Sequence, residues 1–301
     1  MMTRLAAFVM AGRWQAVTAV LGFAVLGLVL PPVTLLSGAA LGLIGLRLGA
    51  YSGGSVLLWS AVTITLASAA LAGQAWFGVA YSVIQWLPVL LIALLLRRTV
   101  SLAFTLQTAL LIGLASVVAM NYLMPGTNAL WAALLDEVVR PALVNAELPA
   151  ATIDTMLARA AEVMNGAVVA ALLLSLVLTL LIARWWQALL YNPGGFRDEF
   201  TGLQLGYPTA GLALTLAGGA VLTQTSLIIE LAMVAAVVFF LQGMAVTHAV
   251  IATSGNPTLW LLAVYGLLLV ALPQMMAGLS LMGAVDAFVD FRARLSSKRG
   301  S

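Results

Sequence analysis

Long apolar runs, closed by short polar, glycine or proline punctuation, recur along the whole chain, and their lengths suit bilayer-spanning helices. Nine are legible, at 14–30, 33–48, 54–71, 79–96, 100–124, 166–190, 207–222, 226–251 and 259–288. The second and seventh hold about 16 residues, or about 24 Å of helix, which implies local thinning or burial among neighbours. The ninth would make a helix of about 45 Å, longer than the hydrocarbon core, and Pro273 stands at its middle, so two short crossings are expected there. The pattern predicts an all-α fold: a polytopic transmembrane bundle of about eight to ten helices, forming one integral membrane domain over 1–301.

Two stretches depart from this pattern. Over 127–165, Leu130, Leu134, Leu135 and Val138 recur at helical spacing beside Asp136, Glu137 and Arg140. Ile153, Met156, Leu157, Ala160 and Met164 do the same beside Asp154, Arg159 and Glu162. With Pro141 and Pro149 between them, these units predict a pair of amphipathic helices on the outer face, either a cap packed on the bundle or a lid over a cavity. Over 191–206, Asn192-Pro193-Gly194-Gly195 is turn chemistry, and Phe196, Phe200 and Leu203 then share a helical face opposite Arg197, Asp198 and Glu199. A cytoplasmic connector with a short interfacial helix is expected.

Composition agrees with a lipid environment. Hydrophobic residues make up 63% and charged residues 8% of the 301 positions, against about 45–50% and about 25% in soluble domains. The absence of cysteine removes disulfides and thiolate chemistry, and a single histidine, His248, argues against a histidine-based metal centre. No cofactor is implied. The N-terminal segment lacks a small-residue cleavage site after its apolar run and reads as a retained helix.

Arg4, Arg13, the Arg97-Arg98 pair and the tail Arg292, Arg294, Lys298, Arg299 flank the runs, as cytoplasmic anchors do, so the expected partner of these bases is the lipid bilayer and not nucleic acid. Arg47 and Arg184 are read as snorkelling anchors. Nine crossings from a cytoplasmic N-terminus would leave the basic tail outside; a break at Pro273 returns it inside. Trp76, Trp86, Trp131, Trp185, Trp186, Tyr191 and Trp260 fall mostly near run ends and read as headgroup-layer anchors. Small residues spaced four apart, Gly38 with Gly42, then Gly45, Gly49 and Gly53, and again Gly211, Thr215 and Gly219, predict close helix packing, or else a face for a partner.

Ionisable groups within apolar spans are costly and mark candidate sites. Glu230, Gln242 and His248 lie in one run, with Glu230 and His248 on the same helix face about 27 Å apart. They are the candidate solute path; the plainer alternative places Glu230 and His248 at opposite interfaces, partly hydrated. Asp286 and Asp290 share a face, and Asp290 with Arg294 is an acid-first i,i+4 pair, expected as a clamp at the membrane surface. His248 near Ser254 lacks an orienting acid, and no protease, hydrolase or nucleotide-binding motif is present. A non-enzymatic role is therefore expected.

The connector Asn192-Pro193-Gly194-Gly195-Phe196-Arg197-Asp198-Glu199-Phe200, the pair Gln242-Gly243 with His248, and the ending Gly283, Asp286, Asp290-Phe291-Arg292 resemble the YybS-like family of bacterial membrane proteins, a family without an assigned function. That family is distantly similar to the substrate-binding S components of energy-coupling-factor vitamin transporters. The resemblance implies a multi-pass protein of the bacterial cytoplasmic membrane, a small-molecule solute, and a partner membrane or ATPase subunit. No vitamin-binding residue carries over to this chain. A non-catalytic scaffold that uses its glycine ridges and connector helix is the competing expectation.

The charge pattern predicts that both termini are cytoplasmic and that 127–165 is outside. Reporter fusions at Asn145 and at the C-terminus test it: a C-terminal reporter active only outside would eliminate the version with a broken last tract.

Overall fold

A computed structural model of the chain describes residues 1–124, 126–253 and 255–292. Every regular element among them is helical. In chain order these are α1 (Met2–Met10), α2 (Arg13–Gly27), α3 (Thr34–Leu48), α4 (Ala50–Ala72), α5 (Ala75–Tyr81), α6 (Leu87–Thr99), α7 (Leu102–Leu123) and α8 (Thr127–Val138). There follow α9 (Arg140–Asn145), α10 (Ala150–Glu162), α11 (Met164–Tyr191), α12 (Gly195–Thr201), α13 (Gly206–Thr223), α14 (Ser226–Ile251), α15 (Pro257–Val270) and α16 (Leu272–Val289). A wide turn at Ser82–Trp86 joins α5 and α6 into one apolar span, Ala75–Thr99.

The chain forms the all-α bundle that its pattern predicts, and it is a multi-pass membrane protein. Among the described residues seven helices are long and apolar enough to cross a bilayer, or eight if α12 and α13 count as one broken span. Two further apolar helices, α2 and α15, have 15 and 14 residues. The last tract breaks at Ala271, two residues before Pro273, because proline cannot continue the hydrogen-bonding of a preceding helix but fits its first turn.

By its contacts the chain divides into two compact units, each built from two stretches of sequence: unit 1 from Met1–Thr105 and Leu174–Gly202, unit 2 from Leu106–Leu173 and the chain from Leu203 onward. In unit 1, α3 is the core. Its residues from Ser37 to Leu46 are all buried, and its small side chains allow this. A Cβ on Gly38 would press on Thr179, and one on Gly42 would sit 3.0 Å from the Ala183 Cβ and 3.4 Å from Val89. Ser37 donates to the Val20 carbonyl at 2.7 Å and accepts from the Trp86 indole at 3.0 Å.

That last bond corrects the reading of the aromatics. Trp76 and Trp260 are exposed, but Trp86 and Trp186 are wholly buried and act as core side chains. A large ring near a run end fills the space that small α3 residues leave, which the end position alone does not reveal.

In unit 2 the closest approach is between α14 and α16. A Cβ on Gly243 would overlap the Leu279 carbonyl, and one on Gly283 would overlap the Phe239 carbonyl, so both positions require glycine. Ser280 adds a hydroxyl bond to Ala236 O at 2.8 Å. Among the described residues the ridge expected along α13 is open: a Cβ on Gly211 would meet nothing within 4 Å, Thr215 is exposed, and a Cβ on Gly219 would meet the Ile228 side chain at 3.3 Å.

The stretch 127–165 lies in unit 2 as α8, α9 and α10. Arg140 ties α8 to α10 by bonding Asp136 at 2.5 Å and Asp154 at 2.8 Å; these acids, Asp154 foremost, raise its already high pKa. Asn165 anchors the stretch to the start of α11, accepting from the Trp131 indole at 2.7 Å and donating to Thr127 at 3.2 Å.

Gly42→Leu should overpack the α3–α11 contact and cost about 1–3 kcal/mol, whereas Gly211→Leu should leave stability unchanged. Melting temperatures in detergent check this; equal values for both variants would mean that α3 is not packed as described.

Candidate functional site

Two helix breaks in unit 2 leave backbone groups that no helix satisfies. Buried from water, such groups need protein partners, since an unpaired one costs about as much as a lost hydrogen bond. The first break is the turn at Val163 between α10 and α11. The second is the stretch 203–205, just before α13. Both are served by polar side chains of α7 and α14.

At the first break, Glu230 from α14 is fully buried. Its Oε1 accepts the Gly166 N–H at 2.9 Å and its Oε2 accepts the Asn121 amide at 2.6 Å. Asn121 also bonds the Val117 carbonyl at 3.0 Å on its own helix, α7. Gly166 is the third residue of α11, so the carboxylate caps that helix from outside, where the macrodipole favours negative charge. A Cβ at Gly166 would overlap Glu230; the glycine is what lets the acid come so close.

At the second break, Gln242 from α14 is also fully buried. Its Oε1 accepts the Leu205 N–H at 2.9 Å, and its amide donates to Asp286 Oδ2 at 3.1 Å. Gln107 of α7 donates to the Leu205 carbonyl at 2.7 Å and to Thr209 at 3.1 Å. Arg292 donates to the Leu203 carbonyl at 3.0 Å and pairs with Asp286 Oδ2 at 2.7 Å. Asp286 Oδ1 accepts the Phe291 N–H at 3.1 Å. The result is a carboxylate with three donors, one of them a cation, the arrangement that makes a buried charge tolerable. It holds the end of α16 and the unwound segment before α13 together.

Several expectations change here. Glu230 is not partly hydrated at an interface. Asp290 does not share a helical face with Asp286, because α16 ends at Val289 and Asp290 adopts the left-handed conformation, φ 46°, which aspartate tolerates. The clamp on Asp286 comes from Arg292; Arg294, the partner expected for Asp290, lies outside the described residues, as does Ser254. His248 sits apart from both breaks, its Nδ1 donating to Met244 O at 2.8 Å and its Nε2 3.2 Å from the Tyr265 hydroxyl. The three α14 residues therefore lie on one helix but serve three separate sets of partners.

In unit 1, Arg97 and Arg98 are both exposed, and Arg97 donates to the Leu46 carbonyl at 2.9 Å, satisfying the end of α3. Arg47 stacks on the Tyr191 ring at 4.1 Å, and Arg184 pairs with Glu199 at 2.7 Å.

Gln107, Asn121 and Gly166 were not singled out from the sequence. The two amides carried a signal, being strong hydrogen-bonding groups inside the apolar α7. Gly166 did not, because nothing in the sequence shows that an acid of a distant helix approaches it.

No family model matches the chain, and neither a curated protein nor a solved structure was found similar to it.

Gln242→Leu should destabilise the fold: the Leu205 N–H and a lone pair of Asp286 lose their partner, at about 1–3 kcal/mol each. Arg292→Gln should cost more, about 3–5 kcal/mol, because Asp286 is left buried without its cation. Thermal melting in detergent reads both; a Gln242→Leu protein melting at or above the parent would refute the bracing role.

Proposed function

We propose that the protein binds or carries an apolar, lipid-like small molecule within the membrane, without catalysis. One observation carries this: α13, α14 and α16 enclose an open groove of about 310 Å³ whose wall is mostly alanine, with Ala213, Ala217, Ala232, Ala236, Ala277 and Ala284 around Phe239. This volume lies near the lower end of small-molecule sites, about 300–1,000 Å³. The polar side chains of α14 do not line the groove, since Glu230 and Gln242 are spent on the helix breaks. A hydrocarbon chain, not a polar solute, is the ligand such a wall accommodates.

The resemblance to the YybS-like family supports a transport setting in a bacterial cytoplasmic membrane, with an ATPase or membrane subunit supplying the energy. A scaffold role is supported by a different feature of α13: among the described residues a Cβ on Gly211 or on Gly218 would meet nothing within 4 Å, so another helix could come close there.

A photoactivatable palmitate analogue, cross-linked to the protein in nanodiscs and mapped by mass spectrometry, separates the two. Labelling is expected to concentrate on α13, α14 and α16 and to fall when Ala232→Trp fills the groove. Labelling spread evenly over exposed helices such as α4, with no response to Ala232→Trp, would leave the scaffold role.

A further inference from the structure

We infer that unit 1 carries a binding site for a phosphate group, filled by the headgroup of an anionic lipid, in the pocket between the ends of α3 and α6 and the α11–α12 corner. The pocket has about 150 Å³ and is lined by the guanidiniums of Arg97 and Arg184, with Gln187 and Glu199, against apolar Leu46, Leu96 and Val100. It is distinct from the alanine groove, which lies in unit 2.

Each guanidinium is already held in place by the protein. Arg97 stands in the last turn of α6 and uses Nη1 on the Leu46 carbonyl at 2.9 Å. Arg184 uses Nε on Glu199 at 2.7 Å and Nη1 on Gln187 at 3.0 Å. A guanidinium has five N–H donors in a planar fork, so both retain donors beyond these bonds. Two oriented forks facing one pocket match a phosphate, which guanidinium recognises bidentately.

The charge around the pocket points the same way. Two guanidiniums face one carboxylate, so the ionisable lining carries one positive charge in excess. Unit 1 as a whole holds seven arginines and two acids, Asp198 and Glu199. A phosphate would bring the missing charge. The apolar side of the pocket fits a lipid better than a free ion, because a headgroup arrives with its hydrocarbon shoulder attached, and anionic headgroups concentrate at basic membrane surfaces.

The test is competitive lipid retention. The protein is reconstituted in nanodiscs of equal phosphatidylglycerol and phosphatidylcholine, extracted in a neutral detergent, and the retained lipid is weighed by native mass spectrometry. Phosphatidylglycerol should be enriched in the parent. Arg97→Gln should reduce the enrichment about fivefold, the factor of roughly one basic contact near a membrane surface, while Arg98→Gln, outside the pocket, should not. Glu199→Gln should raise retention, because it releases Arg184 from its carboxylate; a purely structural pair would not give a gain. Inorganic phosphate titrated into delipidated protein distinguishes the sources: stabilisation that Arg97→Gln abolishes means a free phosphate is also accepted, and its absence confines the site to headgroups. Equal retention of the two lipids with no response to phosphate, or equal losses in Arg97→Gln and Arg98→Gln, would overturn the assignment.

Discussion

A backbone group that leaves its helix where the protein shuts out water must find another partner, because a buried N–H or C=O without one costs about as much as a lost hydrogen bond. Unit 2 breaks its helices at Val163 and at 203–205, and the placement of nearly every buried polar side chain around them follows from that. Asn121 and Glu230 attend the first break, Gln107 and Gln242 the second. Each break thus takes one side chain from α7 and one from α14. The two helices run in opposite directions, so the residue late in α7 meets the one early in α14, and the reverse holds at the other break.

The second break adds a charged pair, and its geometry explains why an apolar pair would not do. Arg292 neutralises Asp286 but also reaches the Leu203 carbonyl, while Asp286 accepts from Gln242, which holds the Leu205 N–H. Buried ion pairs are often no more stabilising than hydrophobic replacements of the same volume. Here the replacement would leave a carbonyl with no donor. Glycine is what brings the groups within reach: Gly243 and Gly283 let α14 and α16 meet backbone to backbone, and Gln242 then lies beside Asp286.

Much of this fold is legible in the sequence, since spans depend on length and apolarity alone. The break near Pro273, the polar stretch after residue 127 and the turn before Gly195 follow from proline and glycine chemistry. The site is legible only in part. Glu230, Gln242 and Asp286 stand out as polar groups in apolar runs, yet their partners include main-chain atoms of Gly166, Leu203 and Leu205, and main-chain atoms carry no sequence signal. Spacing also misled in two places: a four-residue glycine ridge is packed in α3 but open in α13, and tryptophans near run ends are in the core when small residues face them.

The two units solve the same solvent problem by different means. Unit 1 buries α3 by setting glycine, alanine and serine among its leucines, so that neighbouring helices come close, while Arg97 and Arg184 bond a carbonyl, an acid and an amide. Unit 2 buries an acid at each of two breaks and surrounds it with donors. Small-residue packing gains its strength from contact over a whole helix face, so single losses are spread among many neighbours. A hydrogen-bonded break has less reserve: each of its groups has at most a few partners, so the loss of one takes a large share of what another group needs. Sequence change should therefore be tolerated along α3 as long as each residue keeps about its volume, and hardly at all at Gln107, Gln242, Asp286 and Arg292, where the identity of the side chain, and not its size, meets the requirement.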